Sequence, residues 1–132
     1  MSKALDTSLF DDLTRRERAI ALRFGTMITL PHGRLITRQG DFGRQFAVVA
    51  SGELSVQRDG VEIAVLRAGD CVGEIALMAG PRARHTATVE VIGTAEVLVL
   101  SPPEFDELCA VVPRVATRIG RIGVRRLAES TV

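Results

Sequence analysis

Residues 73–89 read Gly73-Glu74-Ile75-Ala76-Leu77-Met78-Ala79-Gly80-Pro81-Arg82-Ala83-Arg84-His85-Thr86-Ala87-Thr88-Val89. The order of parts is a strand end, a glycine, one short helical turn, an arginine-rich loop and a new β-branched strand. Such an order can hold a small anion. A glycine lets backbone approach backbone closely. The first turn of a helix leaves amide N–H groups without internal partners, and its dipole favours negative charge. Arginine supplies a planar, permanently charged fork that matches phosphate oxygens. Glu74 is the acid beside these groups, and a carboxylate suits sugar hydroxyls better than phosphate.

Outward from this stretch the chain consists of short β-rich runs separated by turn residues. Met27 to Leu30, Leu35 to Thr37, Phe46 to Ala50 and Leu54 to Val56 precede the Asp59-Gly60 pair, a tight hairpin signal. Val61 to Val65 and Cys71-Val72 follow, then Thr86 to Ile92 and Glu96 to Leu100, split by Gly93-Thr94. Short strands at close, regular spacing predict a β-sandwich or jelly roll.

Both ends are helical in pattern. Thr14-Arg15-Arg16-Glu17 fits a capping box, and Leu13, Ile20 and Leu22 give the helix an apolar side. Ser101-Pro102-Pro103-Glu104 is a second capping box with proline tolerated in the first turn. Phe105, Leu108 and Cys109 form one face of that helix. Pro113 breaks it, and a further helix is expected to run to about Leu127. Arg114, Arg118, Arg121 and Arg125 make a basic stripe there, opposite Val115, Ile119 and Ile122. The ordinary reading of that stripe is a solvated helix face.

Composition narrows the classes. The chain of 132 residues is expected to form one domain, and its 46% apolar content suffices for a core. A net charge of +1 does not call for nucleic acid, and the lack of Trp and Tyr weakens base stacking as a binding mode. Cys71 and Cys109 lack metal-ligand spacing and read as small buried hydrophobes. His32 and His85 lie in different turns, so no metal centre is expected. The N-terminus carries no signal-peptide pattern and no apolar run reaches the ~20 residues of a membrane span. A cytoplasmic setting and no membrane partner are the expectation. No nucleophile–base pattern appears, so the chain is read as a non-enzyme.

Gly73-Glu74-Ile75-Ala76-Leu77, placed in this strand order, resembles the phosphate-binding cassette of cyclic nucleotide-binding domains. That module is shared by the catabolite activator protein, protein kinase A regulatory subunits and cyclic-nucleotide-gated channels. The resemblance covers nearly the whole chain. It implies a mainly β fold with flanking α: an eight-stranded jelly-roll sandwich with an N-terminal helix, a short cassette helix and two C-terminal helices. The expected layout is a helical start over 1–26, a β-roll with the cassette over 27–100, and lid helices over 101–132.

The resemblance also implies site roles. Gly73, Ile75 and Ala76 would offer amides to the cyclic phosphate or line its pocket. Glu74 would accept a hydrogen bond from the ribose 2′-hydroxyl. The phosphate arginine has two placements. Counting forward from Leu77 at the longer family spacing reaches Arg84. Counting back from Thr86-Ala87-Thr88-Val89 puts His85 at the arginine position. Arg82, in Pro81-Arg82-Ala83, is a third option. Arginine is charged at every relevant pH, and histidine only below about pH 6.5, so chemistry favours Arg84 and register favours His85. Thr86 can add its amide and hydroxyl. The expected ligand is cAMP, ahead of cGMP, with no cofactor besides. The C-terminal helices would act on an effector domain or partner, with DNA entering only through a further domain of a longer protein. The alternative is a degenerate cyclic nucleotide-binding fold that acts as a ligand-independent interaction module.

Overall fold

Two strands of thirteen residues each organise the sheet: β3 (Phe46–Arg58) and β6 (Thr88–Leu100). The computed structural model describes residues 14–43, 46–73 and 84–118. Helix α1 (Arg15–Ala21) comes first, then β1 (Thr26–Leu30) and β2 (Leu35–Thr37). After β3 come β4 (Val61–Leu66) and β5 (Cys71–Val72), and β6 leads into helix α2 (Pro102–Val111). Residues 113–118 are helical as well.

The strands form a six-stranded antiparallel sheet with path order β1-β6-β3-β4; β2 also pairs with β6, and β5 with β3. Eight short runs were expected, and the described residues hold six strands. Phe46 to Ala50 joins Leu54 to Val56 in β3, and the two runs around Gly93 join in β6. The punctuating residues stay inside the strands as irregularities: the β3–β6 register shifts between Val49 and Ser51 and again between Ser51 and Glu53. Such bulges bend a strand and increase its twist without ending it. The Asp59-Gly60 turn is as expected. Both residues have positive φ, 54° and 80°, the pattern of a two-residue hairpin loop.

Side chains alternate across a strand, so β3 serves two cores. Phe46 and Val48 face one cluster with Leu98, Leu100, Ala21, Leu108, Val112 and Val115. Ala47 and Val49 face the other, with Leu54, Leu66, Val72, Val89 and Val91 inside the roll. The helices therefore sit on one side of β3 and the interior of the roll on the other. Phe105 of α2 meets Phe46 edge-on, with ring centroids 5.2 Å apart.

Both capping boxes form. The Thr14 hydroxyl accepts from the Glu17 amide and the Glu17 carboxylate accepts from the Thr14 amide; Ser101 and Glu104 repeat the exchange. The apolar side of α1 differs from the expectation. Ala21 is fully buried and Ile20 packs against the core, whereas Leu22 is the C-cap and is exposed. Leu13 lies outside the described residues. Arg114 pairs with Glu17 at 3.6 Å and so tethers the C-terminal helical segment to α1. Arg121, Arg125, Ile119 and Ile122 lie outside the described residues. Cys71 is buried and Cys109 half-buried, both as free thiols. Burial pushes the Cys109 thiol up to about 11, with Asp106 adding to the effect, which leaves it an unreactive packing group.

Gly52 shows what holds the bulge. Its φ is +88°, and a Cβ there would lie 2.5 Å from the Thr94 carbonyl oxygen and 2.8 Å from the Ala95 Cα. Gly60 has a similar φ of +80° but open space around it. Gly52→Ala therefore combines backbone strain with collision against β6 and is expected to cost more than ~2 kcal/mol. Gly60→Ala carries the backbone strain alone. Urea denaturation of the two variants should show the larger loss at Gly52, and equal midpoints would contradict this account.

Candidate functional site

Three segments converge at one end of the roll. The turn over residues 38–43 follows β2, β5 ends at Val72, and residues 84–88 run into β6. The turn and the 84–88 segment are stitched together by backbone. The Gly40 amide donates to the His85 carbonyl at 2.9 Å and the His85 amide to the Asp41 carbonyl at 2.8 Å. Phe42 and Arg84 form an antiparallel bridge. The Gln39 amide donates to Thr88 Oγ1 at 3.0 Å, and buried Thr37 Oγ1 donates to the Ala87 carbonyl at 2.9 Å.

The tip of the β3–β4 hairpin closes the arrangement. Gln39 Nε2 donates to Asp59 Oδ1 at 2.9 Å, and the Asp59 amide donates back to Gln39 Oε1 at 2.8 Å. Arg58 Nε donates to the Thr86 carbonyl at 3.2 Å. This pincer fixes the turn from both sides. Sequence reasoning missed Gln39, Arg58 and Asp59 as supports, because their partners are 20 to 28 residues away and no local spacing reveals them.

A cavity of about 230 Å³ lies among these segments. Ile36, Ala47, Val72 and Val99 give it apolar walls, and Thr37, Arg38, Asp41 and His85 give it polar groups. Phe42 also lines it. Val72, which lines the cavity, is followed by Gly73, whose φ is +92°.

The expected site residues divide as follows. Gly73, Arg84, His85 and Thr86 are described, and the last three share one segment. Glu74, Ile75, Ala76 and Arg82 lie outside the described residues. Arg84 does not line the cavity. Its guanidinium carbon sits 4.3 Å from the centroid of the Phe42 ring, which does line it, and its Nη1 donates to the Gly40 carbonyl at 2.9 Å. His85 points into the cavity, where its Nε2 occupies the space that a side chain at Gly43 would need. Thr86 contributes its carbonyl to Arg58. Phe42 was not foreseen as part of the site; an aromatic within the polar Gly40-Asp41-Phe42-Gly43 turn was the available signal.

The electrostatics of the two basic groups differ. Burial lowers the His85 pKa below the ordinary histidine value, and the nearby Asp41 carboxylate opposes this without reversing it. The shift favours the neutral imidazole, which can donate one hydrogen bond and accept another. Arg84 keeps its charge at the surface. A histidine with a depressed native pKa binds its proton more readily in the unfolded chain. Stability is then retained above the ordinary pKa and lost as pH falls through the native one. An NMR titration of the His85 ring should give a midpoint below ~6.5, and His85→Gln should flatten the acid-side loss of stability. A midpoint at or above the ordinary value would contradict the burial of the neutral ring.

A family model described as the cyclic nucleotide-binding domain matches residues 27–111, which include both walls of this site. The cyclic AMP receptor protein of Thermus thermophilus is 32% identical over 127 residues, covering 92% of this chain and 58% of that protein. The crystal structure of the Thermus thermophilus catabolite activator protein superposes with a TM-score of 0.81 at 29% identity, over 94% of this chain and 60% of that one. The N-terminal domain of a transcriptional regulator from Streptomyces coelicolor A3(2) gives a TM-score of 0.69 at 28% identity, over 95% and 91%. The chain therefore spans less than two thirds of the length of the curated relatives it matches. With the strand order, the cassette position and the family match in agreement, the chain belongs to the cyclic nucleotide-binding domain family.

Proposed function

We propose that the chain is the sensor domain of a regulatory protein, that it binds cAMP in preference to cGMP, and that Arg84 anchors the cyclic phosphate. The observation that carries this reading is the placement of Arg84 over the Phe42 ring, which lines the cavity together with Val72 and His85. The ligand bears one negative charge near neutrality, which a guanidinium complements at every relevant pH. His85 acts as a neutral hydrogen-bonding wall of the cavity, since burial works against its charge. Glu74 takes the ribose 2′-hydroxyl, and the Gly73, Ile75 and Ala76 amides meet the phosphate. The preference for cAMP rests on the cyclic AMP receptor among the relatives. The domain acts by binding, without a catalytic step of its own.

The output runs through the C-terminal helices. Ala47 lines the cavity while its neighbour Phe46 touches Phe105 of α2 from the opposite face of β3. A ligand that binds more tightly to one placement of the helices shifts the population toward it. An effector domain or partner protein would read that shift.

Calorimetric titration with cAMP and cGMP at pH 6 and pH 8 tests the anchor. Arg84→Ala should weaken binding by about 1.5–3 kcal/mol, the scale of a charged hydrogen bond. Wild-type affinity should change little between the two pH values. A marked loss of affinity from pH 6 to pH 8 that His85→Ala abolishes would transfer the anchor to His85. No heat and no thermal shift with either nucleotide would overturn the sensor reading and favour the ligand-independent interaction module.

A further inference from the structure

We propose that the Phe42 ring and the Gly40 carbonyl form a seat that fixes the plane of the Arg84 guanidinium, which makes Phe42 a positioning residue for the bound phosphate. The inference rests on the reading of the chain as a cyclic nucleotide sensor. Phe42 is 58% exposed, so it is not there to fill a core. The Arg84 guanidinium carbon lies over its ring at 4.3 Å, and a guanidinium, weakly hydrated and planar, sits readily on an aromatic face.

The two contacts constrain Arg84 in complementary ways. The ring contact holds the guanidinium carbon over the Phe42 face and uses up none of its N–H donors as hydrogen bonds. The bond to the Gly40 carbonyl at 2.9 Å uses Nη1 and sets the rotation within that plane. A guanidinium has five N–H donors in a fixed fork. The seat therefore orients the fork while leaving edge donors for an anion.

The seat itself is rigid. The Gly40 and His85 amides, the Asp41 amide to the Arg38 carbonyl at 3.0 Å, and the Gln39–Asp59 pincer pin the turn that carries both Gly40 and Phe42. An arginine with this many free torsions loses much rotamer entropy when it binds an anion. One already held in place loses less on binding, and the difference appears as affinity.

The test is a double-mutant cycle with cAMP and cGMP as probes, together with an NMR measurement that needs no ligand. Phe42→Leu keeps the apolar bulk and removes the π face, and should weaken binding about two- to five-fold. Phe42→Tyr keeps the face and should hold affinity within about twofold. In the Arg84→Ala background, Phe42→Leu should have no further effect, because its influence passes through the arginine. An equal loss from Phe42→Leu in both backgrounds, or no loss in the wild type, would overturn the proposal. In the free protein the Arg84 side-chain protons should be shifted upfield by the Phe42 ring, and Phe42→Leu should abolish the shift. Absence of that shift overturns the seat whether or not ligand binds. Its presence with no binding of either nucleotide would overturn the sensor reading and the seat's role in affinity, leaving the stacking contact as a structural feature.

Discussion

The antiparallel pairing of β3 with β6 is the contact on which the rest of this molecule depends. It runs from Phe46↔Leu100 to Gln57↔Thr88. One end of the ladder carries the residues that bury the helices. The other end carries the hairpin tip and the segment that leads out of the cassette. Every other described strand pairs with one of these two. The bulges near Ser51 and Gly52 let a single pair of strands curve round an interior that two flat strands could not enclose. The placement of Arg84 and His85 beside the 38–43 turn follows from the start of β6 being fixed in register against β3 and β2.

Ahead of β6, the neighbouring basic residues Arg84 and His85 have different surroundings. A strand sends successive side chains to opposite faces. His85 is half-buried on the cavity wall, where burial disfavours its charged form. Arg84 is sent outward, where water and an aromatic face accommodate a permanent cation. An interior cation would require a partner to offset its desolvation. The half-buried His85 thus lines the cavity while the exposed Arg84 lies over Phe42 at its side. The same alternation places the helices back to back with the cavity across β3, so Phe46 and Ala47 bring the two within one residue of each other.

Much of the fold was legible in the sequence, for identifiable reasons. Capping boxes, Asp59-Gly60 and the period-two runs are local signals, and each has a direct structural counterpart. The merging of runs into β3 and β6 was not legible, because glycine marks a turn and a bulge with the same letter. Of the expected site residues that are described, Arg84, His85 and Thr86 share one segment, and His85 lines the same cavity as Val72, the neighbour of Gly73. The choice between Arg84 and His85 could not be read from spacing, since one count runs from the helix side and the other from the strand side. What differs between them, a half-buried imidazole against an exposed guanidinium, is a tertiary property. Phe42 and the Gln39–Asp59 pincer were missed for the same reason, as their roles exist only once distant turns meet.

The central claim is that this end of the roll is a ligand site organised around the 84–88 segment. Amide chemical-shift mapping during titration with cAMP tests it most directly. The account predicts saturable shifts concentrated at residues 40–43, 72–73 and 84–88, with smaller shifts spreading into α2. Shifts that fail to saturate, or that cluster on the arginine-bearing helical segment near Arg114 and leave 84–88 unmoved, would contradict it.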